Sequence, residues 1–182
     1  MRLLLCFIVV ILSISACKPK KNGAVLATDA SDSTAQNISA TEKIIDELQQ
    51  LTPYTLDEMK SMLPVTIDDD SIATVSAQQN MGTSFARAVY ALSDSSSVEI
   101  NLFDCGGTAG SGIYSTQFIN QLDNDSEYDK TIDFRNGRAI EHVEKNSNNA
   151  TFTYLANGRI LVIIEGRNTG IEKLKDIKLS KN

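Results

Sequence analysis

Two Asn-Gly pairs, at residues 136–137 and 157–158, constrain the fold of this chain more than any other feature. Each pair lies between stretches whose apolar residues alternate with period two, in YDKTIDFRNGRAIEHVEK and in TFTYLANGRILVIIEG. Asn-Gly favours a type I′ turn, because both central residues of that turn need positive φ. Alternating apolar residues indicate strands. The sequence therefore predicts two antiparallel hairpins in its second half.

A two-residue loop also fixes the register of each hairpin. The expected facing pairs are Phe134 with Ala139, Ile132 with Glu141, Phe152 with Ile163, and Tyr154 with Leu161. A further hairpin is predicted from SFARAVYAL (84–92) and SVEINLFDC (97–105), joined by residues 93–96. The run ILVII (160–164) is apolar at every position, which indicates a central strand covered on both faces.

Helices are predicted where capping boxes precede apolar residues at helical spacing. The three boxes are Ser39 with Glu42, Thr55 with Glu58, and Thr169 with Glu172. Helices at 42–51, 113–123 and 170–178 would supply the cover for the sheet. The predicted fold class is α+β, with a mainly antiparallel sheet of about six strands and helices packed on it.

The N-terminus has the pattern of a secretory signal. Arg2 precedes an apolar run from Leu3 to Leu12, which is too short to span a bilayer, and small residues follow. Ile14-Ser15-Ala16-Cys17 resembles the lipobox of bacterial lipoproteins, although Leu is more usual at the place of Ile14. The resemblance implies that Cys17 is lipidated and becomes the mature N-terminus. The predicted division is a signal peptide at 1–16, a lipidated cysteine and flexible tether at 17–40, and a single α+β domain at 41–182.

Charge excludes one class of partner. Removal of Arg2 with the signal leaves 16 of the 17 basic residues against 23 acidic ones, and three of the 16 are Lys18, Lys20 and Lys21. Beyond residue 21 the balance is 13 against 23, a net charge of −10. A phosphate backbone would be repelled, so nucleic-acid binding is not expected. The three lysines can lie on anionic headgroups beside the lipid.

Cysteine usage limits what holds the domain together. Cys6 lies in the signal and Cys17 carries lipid, so Cys105 is the single thiol expected in the domain. An intrachain disulfide is therefore not expected, and the fold must depend on its own core. At the end of a predicted strand, Cys105 is expected to be at least half buried and slow toward thiol reagents.

The stretch NLFDCGGTAGSGIYSTQFINQL (101–122) has the order of a phosphate-binding loop: strand, glycines, helix. A P-loop needs Lys after its last glycine, but Ile113 follows Gly112. The dinucleotide fingerprint fails as well, because Ser115 stands where its last glycine belongs. The glycines are therefore interpreted as a tight turn between strand and helix.

The sequence contains no complete motif for other catalytic or metal-binding chemistry. His142 is the one histidine, and the hairpin register places it opposite Thr131, on a face with Asp129, Asp133 and Glu144. Zinc would need further His or Cys ligands. The segment DNDSEYD (123–129) fails as a calcium loop, and DDD at 68–70 is interpreted as a solvated loop. Paired carboxylates for glycoside chemistry stay open.

A second resemblance covers about residues 63–180. The segments NMGTSFARAVY, VEINLFDCGGTAG, YDKT, NGR and VIIEGRNTGIEKLK resemble a domain found in uncharacterised bacterial secreted proteins and lipoproteins. Cys105 stands where that family would have a small polar residue such as Thr. The resemblance implies an intact fold and a location in the envelope, and it carries over no activity.

We therefore expect a lipid-anchored protein of the bacterial cell envelope, at the outer membrane and facing the periplasm. Its domain is expected to bind another envelope protein or a small ligand without catalysis. The alternatives are a hydrolase that uses carboxylates around His142 and a structural subunit of an envelope assembly. No catalytic residue, metal site or cofactor is predicted, and lipid on Cys17 is the predicted contact with the membrane.

Overall fold

One antiparallel sheet of eight strands organises the residues that the computed structural model describes, 41–92, 95–122 and 128–180. In chain order the strands are β1 (Thr66–Ile67), β2 (Asp70–Asn80), β3 (Thr83–Ala91), β4 (Ser97–Asp104), β5 (Asp129–Phe134), β6 (Gly137–Val143), β7 (Ala150–Ala156) and β8 (Ile160–Arg167). Across the sheet the order is β1-β2-β3-β4-β8-β7-β6-β5. The mainly antiparallel sheet with helices is confirmed, but the expectation of about six strands is wrong.

The two additional strands are β1 and β2. The sequence has no alternating pattern that would predict them, and the reason is physical. Most side chains of β2 are exposed on both faces, so its apolar residues do not alternate. Asp68 and Asp69 form the turn between the two strands, with φ of 50° and 70°, and Asp70 already belongs to β2. The solvated loop expected at 68–70 is therefore correct for its first two residues alone.

The first Asn-Gly hairpin forms, but its loop is displaced by one residue. Arg135 and Asn136, with φ of 46° and 65°, are the loop residues, and Gly137 pairs with Phe134. Asn tolerates the left-handed region and so can occupy the second loop position itself. The observed pairs are Ile132 with Ala139, Thr131 with Ile140, and Asp129 with His142. The expected pairs of Phe134 with Ala139, Ile132 with Glu141, and Thr131 with His142 are therefore wrong, although every side chain keeps its predicted face.

The second Asn-Gly hairpin has the expected turn and an unexpected bulge. Asn157 and Gly158 have φ of 52° and 67°, and the Arg159 N–H donates to the Ala156 carbonyl at 3.0 Å. The ladder then pairs Ala156 with Ile160, so Arg159 is an extra residue in the strand. The observed pairs are Phe152 with Ile164 and Tyr154 with Val162. The expected pairs with Ile163 and Leu161 are wrong, because the bulge moves the register by one residue.

Each face of the sheet carries its own core. On the first face, α2 (Leu56–Ser61) and α5 (Ile171–Asp176) cover a core that includes Met59, Tyr90, Ile100, Phe152 and Leu174. On the second face, α1 (41–49) and a helix within residues 107–122 cover Leu48, Cys105, Tyr114, Phe118 and Leu161. The strand β8 lies between β4 and β7, and its apolar run is buried except at Ile163, which is partly buried, so the central strand covered on both faces is confirmed.

The three predicted capping boxes have different outcomes. The Thr55 hydroxyl accepts from the Glu58 N–H, and the Glu58 carboxylate accepts from the Thr55 N–H at 2.8 Å, so this box is confirmed. Ser39 lies outside the described residues. The third box is wrong: Gly170 is the N-cap of α5, and the Thr169 hydroxyl donates to the Arg167 carbonyl at 3.1 Å instead.

The glycine-rich stretch is helical rather than a turn. The helix α3 (Gly107–Ile113) begins there and continues through a π-helical segment (Tyr114–Ile119) into α4 (Asn120–Leu122). The expected helix at 113–123 therefore starts six residues too late. A side chain on Gly110 would place its Cβ 2.5 Å from the Asp104 carbonyl oxygen. Glycine at this position is needed because the helix packs directly against the end of β4.

Candidate functional site

A groove of about 460 Å³ lies on the second face of the sheet, between the β2–β3 hairpin and α3. Its apolar lining consists of Met81, Phe85, Phe103, Ala109, Ile113 and Ile163. The two-residue turn of this hairpin is Met81-Gly82, with φ of 49° and 81°, and Met81 lines the groove. Ala109 and Ile113 are four residues apart on the helix and so face the groove together.

Two aromatic rings form the apolar wall of the groove. Phe85 of β3 and Phe103 of β4 are directly opposite in the ladder, and their ring centroids are 4.9 Å apart. Ile163 of β8 lies in the same groove. The close approach of α3 at Gly110 brings the helix against the end of β4, at Asp104 and Cys105. The glycine-rich stretch thus contributes to a binding groove by close packing, without any phosphate chemistry.

Glu165 and Asn101 form a polar end of the groove. Glu165 is the one charged side chain among the described residues that line the groove. Asn101 is buried, with 8% of its surface exposed, and its amide nitrogen donates to Glu99 at 3.0 Å. The amide oxygen of Asn101 and its second N–H are therefore left to meet a ligand.

Arg87 forms an ion pair with Glu99, the carboxylate next to Glu165. Glu99 lies directly opposite Glu165 in the ladder, and Arg87 binds both oxygens of Glu99 at 2.6 Å each. The hydrogen bonds from Arg87 hold the pKa of Glu99 below its usual value, with a smaller contribution from Asn101. Glu99 is thus neutralised by its partner. No hydrogen bond or ion pair joins Glu165 to another described residue.

His142 lies farther along the same row of the sheet. The row runs from Glu99 through Glu165, Thr151 and His142 to Asp129. His142 Nδ1 and Asp129 Oδ1 are 2.7 Å apart, and both side chains are about 40% exposed. A smaller recess beside them includes Gln121 and Thr153. Since strands are about 4.8 Å apart, the backbones of Glu165 and His142 are separated by roughly 10 Å. Both residues line a further recess that also contains Thr151.

Of the other two carboxylates predicted around His142, Glu144 lines a recess of about 450 Å³ with it, whereas Asp133 does not. Asp133 is exposed and faces Arg138 across the hairpin. Glu144 accepts hydrogen bonds from Asn149 and Ser147, each at 2.9 Å, and these bonds lower its pKa. Across the described ranges, no group of three or more His, Cys, Asp or Glu side chains is placed to hold a metal ion.

A buried ion pair that the sequence did not predict, Asp104 with Arg159, lies at the end of β4, next to Phe103 of the groove. Asp104 is completely buried at the end of β4, where it accepts hydrogen bonds from Arg159 and from the N–H groups of Tyr54 and Gly106. The hydrogen bonds that Arg159 donates to Asp104 raise the pKa of Arg159. An acidic residue at the end of an apolar strand was the signal in the sequence. Because the carboxylate is fully bonded, its role is to hold the elements together.

The neighbouring Cys105 is buried beneath α3. Burial raises the pKa of its thiol to about 12, so the reactive thiolate is strongly disfavoured. The expectation of a thiol at least half buried is confirmed. Its slowness toward reagents stays a prediction.

Within residues 41–92, 95–122 and 128–180, no helix combines the length and apolar character needed to cross a bilayer. Cys17 and the three lysines beside it lie outside those residues. The chain matches no protein-family model, and comparisons with curated proteins and with solved structures give no match. The resemblance seen in residues 63–180 stays a prediction.

Proposed function

We propose that this protein is a lipid-anchored, non-catalytic binding module of the bacterial cell envelope. Its domain binds a small ligand that has an apolar, preferably aromatic, body and a positively charged amine. One observation carries the proposal: an apolar groove with two phenylalanine rings has Glu165 as its charged group. The anchor is lipid on Cys17, at the outer membrane and on its periplasmic side.

The apolar lining of the groove fits a ligand with an apolar body. A volume of about 460 Å³ suits a small organic molecule, for which binding clefts of about 300–1,000 Å³ are usual. Phe85 and Phe103 offer ring faces and edges to an aromatic group. Ile113 and Ile163 close the groove from the helix and from β8. A ligand that buries apolar surface here gains the main favourable contribution to its binding.

The negative charge of Glu165 at the polar end of the groove favours a positively charged group on the ligand. Glu165 forms no ion pair with a described residue: Arg87, the arginine of this row, makes its hydrogen bonds to Glu99 and interacts with Glu165 only through its charge. Asn101 adds an amide oxygen beside it. An ammonium group has three donors and no acceptor, so it complements these atoms, whereas a carboxylate ligand would be repelled. The net charge of −10 beyond residue 21 acts in the same direction.

The N-terminal sequence supports attachment through lipid on Cys17. The apolar run before Cys17 is too short to hold the protein by itself, and each buried CH₂ of an acyl chain contributes about 0.8 kcal/mol. Acyl chains therefore dominate the attachment, and three lysines at about 1 kcal/mol each assist it. We expect detergent to release the protein and high salt to leave it bound. Mass spectrometry of the mature N-terminal peptide tests this: an unmodified Cys17, or cleavage elsewhere, would refute the anchor.

The ligand is tested by calorimetry on residues 41–182 with three compounds of one shape: 2-phenylethylamine, 2-phenylethanol and 3-phenylpropionate. We expect the amine to bind at least about tenfold more tightly than the alcohol, which corresponds to about 1.4 kcal/mol, and the carboxylate to bind worst. In Glu165→Gln the preference for the amine should disappear. Glu42→Gln, the same change on the exposed side of α1, is the control. Equal binding of all three compounds would refute the charge preference.

A second candidate function is favoured by the hydrogen bond between His142 and Asp129. An aspartate that orients a histidine is part of many hydrolytic sites, and Thr151 lies opposite His142 with a hydroxyl group. The described residues form no hydrogen bond between His142 and that hydroxyl, so the arrangement lacks an activated nucleophile. If this function is correct, His142→Ala abolishes an activity of the purified protein on ester or amide substrates; equal activity of variant and parent would exclude it.

A further inference from the structure

Glu165 belongs to two neighbouring spaces on the second face of the sheet. It lines the apolar groove together with Phe103 and Ile163, and it also lines the recess of about 450 Å³. The lining of that recess is mostly polar and includes His142, Glu144, Asn149, Thr151 and Arg167. A ligand whose amine meets Glu165 can therefore extend into the apolar groove with one group and into the polar recess with another.

Arg167 brings a positive charge to the recess. It follows Glu165 by two positions in β8, and alternate residues of a strand face the same side, so Ile163, Glu165 and Arg167 succeed one another along one face of β8. The Arg167 guanidinium forms no hydrogen bond or ion pair with a described residue, and it acts on Glu99 through its charge. This face of β8 thus presents an apolar side chain, an acid and a base in that order.

The remaining groups of the recess leave room for an anion. Glu144 is exposed, and its carboxylate already accepts hydrogen bonds from Ser147 and Asn149, each at 2.9 Å. Thr151 lies directly opposite Glu165 in the ladder, and its hydroxyl forms no hydrogen bond with a described residue. Arg167 and Thr151 therefore offer donors to an acceptor group that enters the recess.

We propose that the ligand is a free aromatic α-amino acid. Its ring lies in the apolar groove, its ammonium group binds Glu165 and its carboxylate binds Arg167. This inference rests on the proposed function, because it keeps the same groove and the same position of the amine. It adds a second charge to the ligand and assigns Arg167 as the residue that selects it.

The spacing of the two charges on β8 fits those of an α-amino acid. Residues two positions apart on a strand are separated by about 6.6 Å. The ammonium nitrogen and the carboxyl carbon of an α-amino acid are about 2.5 Å apart. With a charge-assisted hydrogen bond of about 2.8 Å at each end, such a ligand reaches from Glu165 to Arg167. The planar guanidinium can bind both oxygens of the carboxylate, whereas a neutral amide offers it one oxygen without the charge.

Equilibrium dialysis of the full chain in lipid vesicles, with empty vesicles as the blank, tests the inference. Three labelled compounds are compared at about pH 6, where their amines are protonated: L-phenylalanine, L-phenylalaninamide and 2-phenylethylamine. We expect L-phenylalanine to bind at least about tenfold more tightly than either of the others, which lack the carboxylate. In Arg167→Gln this preference should disappear. Arg135→Gln, the same change at an exposed arginine of the β5–β6 turn, is the control and should keep the preference.

The possible results separate this inference from the proposed function. Equal binding of the three compounds, or an equal preference in Arg167→Gln and in the parent, would overturn the carboxylate contact and leave the binding of the amine intact. Tighter binding of L-phenylalaninamide would indicate the N-terminus of a peptide and would also overturn the free amino acid. Binding of none of the three would overturn this inference and the proposed function together. A melting temperature of Arg167→Gln equal to that of the parent shows that a lost preference does not come from unfolding.

Discussion

The Arg159 guanidinium donates two hydrogen bonds to the Asp104 carboxylate, at 2.7 and 2.9 Å, across 55 positions of the chain. The same guanidinium donates to the Thr52 carbonyl at 2.6 Å and lies 3.7 Å from the centre of the Tyr54 ring. The pair therefore joins the β7–β8 loop, the end of β4 and the segment before α2. Arg159 is also the extra residue of the bulge in the second hairpin.

Removing the buried carboxylate should be far more costly than removing an exposed one. In Asp104→Ala the Arg159 charge and two backbone N–H groups lose their acceptor, and breaking a buried pair typically costs about 3–5 kcal/mol. In Glu99→Ala the lost pair involves Arg87, whose side chain is 47% exposed, and a cost of about 1 kcal/mol or less is expected. Urea denaturation of both variants measures the difference. Equal losses would contradict the structural role of Asp104.

The two glycines of the Asn-Gly pairs should respond differently to valine. Gly158 has φ of 67°, where a β-branched residue is strained, so Gly158→Val should destabilise the domain by more than about 1 kcal/mol. Gly137 belongs to β6, has no positive φ, and would place its Cβ 3.7 Å from the Phe134 carbonyl oxygen. Gly137→Val should therefore change the free energy of unfolding by less than about 0.5 kcal/mol. Equal destabilisation would place the Asn136–Gly137 pair at the centre of the first turn.

Alkaline pH should destabilise the fold in part through Cys105. Burial raises the pKa of this thiol from 9.0 to about 12, so between these values the unfolded state loses a proton that the folded state keeps. The free energy of unfolding then falls as pH rises, by at most about 1.4 kcal/mol per pH unit for one group. In Cys105→Ala the decline above about pH 9 should be shallower, as measured by urea midpoints. Burial also raises the pKa of Tyr90 to about 12, so Tyr90 contributes to the decline of stability with pH in both proteins. Identical slopes would exclude the contribution of the thiol.

Local patterns predicted the class of fold, whereas contacts between distant residues decided the site. The apolar run of β8 indicated its central place, because a strand covered on both faces needs apolar residues at every position. The edge strand β2 has no such requirement and left no pattern. The register of the second hairpin depends on Arg159, whose partner Asp104 is far away in the chain. The groove likewise depends on Phe85 facing Phe103 and Glu99 facing Glu165, and no single segment contains those pairs.

The central claim, that the groove beside Glu165 binds an aromatic amine, is tested most directly by a methyl NMR titration. Isoleucine methyl signals of residues 41–182 are followed as 2-phenylethylamine is added. The signals of Ile113 and Ile163, which line the groove, should shift, while Ile132 and Ile171, which pack against the core of the other face, should not. Shifts confined to Ile132 and Ile171, or no shift in any of the four, would contradict the claim.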